Sequence, residues 1–153
     1  MSSLGRVPGV PGAYSDLSRH PENQPVPGVL ILRLDAPMYY ANALTVREQV
    51  KALVEEAETP PQALIFDATA QDALDITSAE VLKGLMKELR DGGIEVYAAE
   101  VHAPVIAFAR KSGLSDVLGE QHVFPTVDAA LAAIRARAEE TINPSPNAKE
   151  TIS

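Results

Sequence analysis

The sequence predicts an α/β fold: a mixed, mainly parallel β-sheet of about four to five strands flanked by about four helices. Three observations carry this. Short apolar runs recur at Val29–Leu34, Ala63–Phe66 and Ile94–Ala98. Between them lie stretches with apolar residues at helical spacing, such as Val81, Leu82, Leu85, Met86 and Leu89. Proline and glycine mark each change of period, at Pro60-Pro61 and at Gly92-Gly93.

Residues 1–13 read as a flexible lead, because Gly5, Pro8, Gly9, Pro11 and Gly12 crowd it. Tyr14–Leu17 makes a short strand, and Arg19–Gly28 is rich in turn formers. Val29–Leu34 is apolar on both pleat faces, which suits a strand inside a sheet. Its link to the earlier strand predicts an antiparallel opening pair. Asn42 is placed to cap a helix whose Ala43, Val46, Val50, Leu53 and Ala57 form one stripe, with Arg47, Glu48, Lys51, Glu55 and Glu56 opposite. Ala63–Phe66 is the next strand and Thr77–Arg90 the next helix, with glycine following for the left-handed C′ position. After the strand Ile94–Ala98, Pro104 sits where a first helical turn tolerates it, and Gly113 ends that short helix. His122–Phe124 is a short strand and Thr126–Arg135 a last helix. From residue 139 to 153 the chain is polar, with Pro144 and Pro146, and reads as a disordered tail. The ordered domain is therefore expected over residues 14–138.

Composition narrows the function. A length of 153 residues suits one domain. A net charge of −8 argues against a nucleic-acid partner, which would call for a basic stripe. There is no cysteine, so disulfides, thiolate metal sites and a cysteine nucleophile are excluded. No apolar run approaches the ~18–20 residues needed to cross a bilayer, and the first residues lack the apolar core of a signal peptide.

Chemical motifs are absent. No glycine-rich phosphate loop follows a strand, and no Gly-x-Ser-x-Gly elbow occurs. His20, His102 and His122 fall in separate segments without ligand spacing, so no metal site is expected. Asp67, Asp72 and Asp75 cluster after a strand's carboxyl end, where open parallel sheets place ligands. No partner base accompanies them, so they read as loop acids favoured by a helix dipole and not as catalytic residues. The helix they precede starts with Asp75-Ile76-Thr77-Ser78-Ala79-Glu80. Thr77 and Glu80 have capping-box spacing, which predicts Thr77 as the N-cap.

The run "VPGVLILRLDAPMYYANA", Val26 to Ala43, closely resembles the start of the STAS domain of SulP-type sulfate and anion transporters. Upstream, "LGRVPG" and Tyr14-Ser15-Asp16 with Pro21 resemble that family's junction between membrane part and STAS domain. "FDATAQDALDITSAEVLKGLMKELRDGGIEVYAAEV" resembles the family's middle and "RKSGLSDVLGEQHVFPTVDAAL" its end. The likeness spans about Leu4 to Ala138, and its later motifs are shared with bacterial anti-sigma-factor antagonists.

The resemblance implies a non-enzymatic regulatory and interaction domain on the cytoplasmic face of the cell membrane. Its partners would be the transmembrane transport domain of the same full-length protein and cytosolic regulatory proteins. In the antagonist branch, a kinase phosphorylates a serine in an Asp-Ser-Ser-Gly motif. Aligned on Asp75, that acceptor falls on Thr77, while Ser78 stands where the motif has glycine. The resemblance thus marks Asp67, Asp75, Thr77 and Ser78 as a candidate regulatory loop. Two alternatives stand beside the transporter reading: a stand-alone phospho-switch in sigma-factor control, and a sensor that binds GTP or ATP weakly. No other cofactor is implied.

Overall fold

The computed structural model describes residues 1–142. Among these the strands are β1 (Ser2–Arg6), β2 (Tyr14–Asp16), β3 (Val29–Arg33), β4 (Ala63–Asp67), β5 (Glu95–Ala99) and β6 (Val123–Phe124). The helices are α1 (Ala43–Glu56), α2 (Ile76–Asp91), α3 (Ala103–Ser112), α4 (Leu114–Leu118) and α5 (Val127–Ile142). One sheet holds all six strands in the order β2-β1-β3-β4-β5-β6. From β3 to β6 every pairing is parallel, and β1 and β2 add an antiparallel wing. The expected α/β class is borne out, with one strand and one helix more than the upper expectation: β1, and the short α4 beyond Gly113.

Alternation along the central strands divides the core. Leu64 and Leu32 face α1, α2 and α4, where they meet Val46, Val50, Leu85 and Leu89. Ile65 and Ile31 face α5, where they meet Ala130 and Leu131. Both Leu64 and Ile65 are fully buried, as a strand covered on two faces requires. In α2, Leu85, Met86 and Leu89 are buried, and Val81 and Leu82 pack half-buried beside them.

The amino terminus departs from its reading as a flexible lead. Residues 2–6 form β1, paired with β3 at Ser2↔Arg33 and Ser3↔Leu32 and with β2 over Leu4↔Asp16 to Arg6↔Tyr14. The sheet therefore starts at Ser2 instead of Tyr14. β1 also separates β2 from β3, so the predicted antiparallel opening pair is replaced by two antiparallel pairs that share β1. The glycines misled for a physical reason. Gly5 is not a flexible joint but a close approach: a Cβ there would lie 2.5 Å from the Leu17 side chain and 2.9 Å from the Gln24 carbonyl oxygen. Gly9 and Gly12, with φ of 75° and 78°, make the tight turns that return the chain to β2. At the other end α5 continues to Ile142, past the expected stop at Arg135 and boundary at 138. The rest of the expected tail, residues 143–153, lies outside the described residues.

A pair of glycine substitutions separates strand from flexible lead. Gly5→Ala is expected to cost about 1–3 kcal/mol by overpacking. Gly84→Ala, at a mid-helix position in α2 with no atom within 4 Å of the new methyl, is expected to gain about 0.4–1 kcal/mol. Urea midpoints of the two variants check this; equal midpoints would return residues 1–13 to a flexible lead.

Candidate functional site

β3 and β4 run parallel with Arg33 opposite Asp67. Two loops therefore leave the same edge of the sheet, residues 34–42 toward α1 and residues 68–75 toward α2. Crevices beyond the carboxyl ends of parallel strands are where such sheets place ligands and contacts. Two side chains of the second loop hold the first. Gln71 is buried; its Oε1 accepts from the Met38 backbone N–H at 2.8 Å and its Nε2 donates to the Ala36 carbonyl at 2.9 Å. It does for two loops what a backbone bridge does for two strands. Asp75 provides the other link. Its Oδ1 accepts from the Ser78 N–H and its Oδ2 from the Tyr40 N–H, each at 2.7 Å.

Asp75, and not Thr77, is thus the N-cap of α2. Both residue types cap well, but Asp75 has extended backbone and an oxygen on the third amide, while Thr77 already lies inside the helix. The capping box does not form: Glu80 instead pairs with Lys83 at 2.9 Å. Asn42 likewise precedes α1 without capping it by side chain. Its amide spans the loop, accepting from Tyr39 N–H at 2.8 Å and donating to the Pro37 carbonyl at 3.0 Å.

The four residues of the candidate loop have different environments. Asp67 is buried at the end of β4, and its Oδ1 accepts from the Thr69 backbone N–H at 3.0 Å and from the Thr69 hydroxyl. Thr77 is exposed on the first turn of α2. Ser78 is fully buried, and its hydroxyl has no hydrogen-bond partner. Of the two adjacent hydroxyls, only that of Thr77 is open to a modifying enzyme. Asp72 points to solvent, and the nearby His102 Nε2 donates to the Thr69 carbonyl at 2.8 Å, tying the loop to the start of α3. His20 and His122 lie elsewhere, against Glu22 and the Val96 carbonyl. Among the described residues no group of three or more His, Cys, Asp or Glu side chains is arranged to hold a metal ion.

A family model for the STAS domain matches residues 20–130. The chain belongs to the STAS domain family. It is 32% identical over 136 residues to a probable sulfate transporter of Mycobacterium tuberculosis, covering 89% of this chain and 24% of the relative. It is 31% identical to sulfate transporter 1.3 of Arabidopsis thaliana, covering 84% of this chain and 21% of that protein. The chain therefore spans between a fifth and a quarter of the length of these curated relatives. Among solved structures it resembles murine Solute Carrier 26 family member A9, an anion transporter, with a TM-score of 0.79 and 24% identity over 88% of this chain and 22% of that one. It also resembles the STAS domain of a SulP transporter from Vibrio cholerae, with a TM-score of 0.63 and 24% identity over 80% of this chain and 93% of that one. A putative anti-sigma factor antagonist from Thermotoga maritima shares the fold at a TM-score of 0.62 and 15% identity, covering 72% of this chain and 90% of that one.

In this STAS domain the exposed apolar residues gather at the linked loops. Among the described residues five large hydrophobic side chains are exposed, and four of them, Tyr39, Tyr40, Leu44 and Ile76, sit on the two segments that the Tyr40–Asp75 bond joins. Tyr39 and Tyr40 meet edge to face with centroids 5.5 Å apart. Reading the sequence for motifs missed these residues and Gln71. Their signals were present: two tyrosines just ahead of an amphipathic helix, and an isoleucine at a first helical position off the apolar stripe.

The Ser78 and Tyr40 amides, with the Ser78 hydroxyl close by, hold the Asp75 carboxyl below the usual carboxylate range. A lowered folded-state pKa gives stability that is present above the unfolded value, near 4, and lost as pH falls through the folded value. Asp75→Ala is expected to cost about 1 kcal/mol at pH 7, with the gap to wild type closing below about pH 4; denaturation midpoints across pH check this, and a pH-independent gap would remove the charge from the argument. Gln71→Ala is expected to cost about 1–3 kcal/mol by leaving the Met38 N–H and Ala36 carbonyl unpaired, with faster hydrogen exchange at the Met38 amide as its local signature.

Proposed function

We propose that this STAS domain is the cytoplasmic regulatory and interaction domain of a SulP-type anion transporter, and that its loop-linked apolar face docks the transport domain of the same full-length protein or a cytosolic regulator. The observation that carries this reading is coverage. The two structures of the Solute Carrier 26 member superpose on 88% and 93% of this chain, whereas the anti-sigma antagonist folds reach only 72–74%. The family match itself begins at residue 20, past β1 and β2. The sulfate transporter relatives likewise match 89% and 84% of this chain at 32% and 31% identity, which favours the transporter over the stand-alone switch. Among the described residues no helix is long and apolar enough to cross a membrane.

The regulatory element in this proposal is the Asp67–Ser78 loop. A phosphate on exposed Thr77 adds about −1.5 to −2 charges at the amino end of α2, where the helix dipole favours it. Asp75 and Glu80 oppose it, so the added charge stays directed outward, beside Tyr40 and Ile76. Docking changes while the fold persists.

The gene is expected to encode about ten or more apolar segments of ~20 residues ahead of Met1. In that full-length protein, Thr77→Asp and Tyr40→Ser are each expected to change anion uptake several-fold at matched surface expression, while the isolated domain keeps its melting temperature within a few degrees. Uptake equal to wild type in both variants would reduce the loop to a helix start.

A further inference from the structure

The sheet face under α2, α3 and α4 is not fully packed. A cavity of about 350 Å³ lies there, its wall running from Leu34 and Gln71 at the carboxyl edge of the strands to the exposed Arg110 and Glu120. That volume is at the lower end of the ~300–1,000 Å³ of small-molecule sites and is roughly twice the ~150 Å³ void that binds benzene in an engineered protein. Phe66, Leu82, Ile106 and Val123 line it and stay half-buried although they belong to the core side of their elements. The chain has three methionines, Met1, Met38 and Met86, and all three are in the wall. Methionine is the side chain that adapts most readily to a ligand of variable shape.

Most polar groups of the wall are already engaged. Gln71 is held by Met38 and Ala36, Asp67 by Thr69, and at the rim the exposed Arg110 pairs with Glu120 at 2.9 Å. A water inside would find few of the two to four partners it needs. Carbon surfaces facing an empty space forgo dispersion contacts that an apolar guest restores. We infer that this cavity is a binding site for the alkyl chain of an amphiphile, the chain lying between the sheet and α2–α4 and the head group at the mouth beside Arg110 and Glu120.

The test uses the 153-residue chain with ¹³C-methyl-labelled methionine, titrated with decanoate and with 1-decanol below their aggregation limits. The expected result is saturable movement of the Met38 and Met86 methyl signals with one shared binding constant. Ala109→Phe, which fills the cavity from α3, is expected to weaken binding at least tenfold, while Ala52→Phe on the exposed face of α1 leaves it unchanged. Should Ala109→Phe fail to fold, Leu82→Ala serves instead, and its larger cavity is expected to shift the preference to dodecanol. A preference for decanoate that Arg110→Gln abolishes supports the site with an anionic head. Equal binding of both probes, indifferent to Arg110→Gln, supports it with an uncharged head. Unmoved methionine signals up to the solubility limit, or undiminished affinity in folded Ala109→Phe, would overturn the inference.

Discussion

β4 is hydrogen-bonded along both edges and covered on both faces, and the other elements take their places from it. Its residues pair in register with β3 on one side and β5 on the other, from Ala63 to Asp67. Because side chains alternate, a slip of one residue would send Leu64 toward α5 and Ile65 toward α2, emptying one core and overfilling the other. Register is therefore strongly specified, and with it the point at which the chain leaves the sheet. Asp67 ends opposite Arg33 and Ala99 every time the strand forms.

That fixed exit lets two short side chains organise a surface. Gln71 and Asp75 can reach the 34–42 loop only because β3 and β4 deliver both loops to one edge. The result is an apolar face on a braced base, with backbone groups of the 34–42 loop satisfied by side chains of the 68–75 loop. A contact made there by a partner needs little reordering of the domain, so its energy is available for association. The same bracing limits what a charge at Thr77 can do: it alters what the surface presents more than how the loop is folded.

The elements with strong periodicity were legible in the sequence. The alternation of strand and helix, the stripe of α2 and the parallel order from β3 to β6 followed from apolar spacing and breakers alone. The amino-terminal wing was not, because glycine that permits a close contact and glycine that permits motion look identical in one sequence; Gly5 is of the first kind. The cap of α2 was ambiguous for a similar reason. Asp75 and Thr77 are both good caps two residues apart, and Asp75 is the one that also accepts from the Tyr40 amide, which comes from a segment 35 residues away. Gln71 and the exposed Tyr40 and Ile76 depend on the same long-range meeting of loops, which local pattern does not report.

β1 enters the sheet at its second residue and lies between β2 and β3. A segment joined ahead of Met1 would thus be coupled to a ladder without slack. Any rotation of that segment would reach β3 as torque on the sheet and would not be dissipated in a loose tether. Ser2 pairs with Arg33 and its hydroxyl donates to Asp35, so such a segment would act at the very end of β3 from which the loop held by Gln71 and Asp75 departs. Lengthening the connection ahead of Met1 by a few flexible residues would leave the ladder of β1 intact and still disconnect the two mechanically.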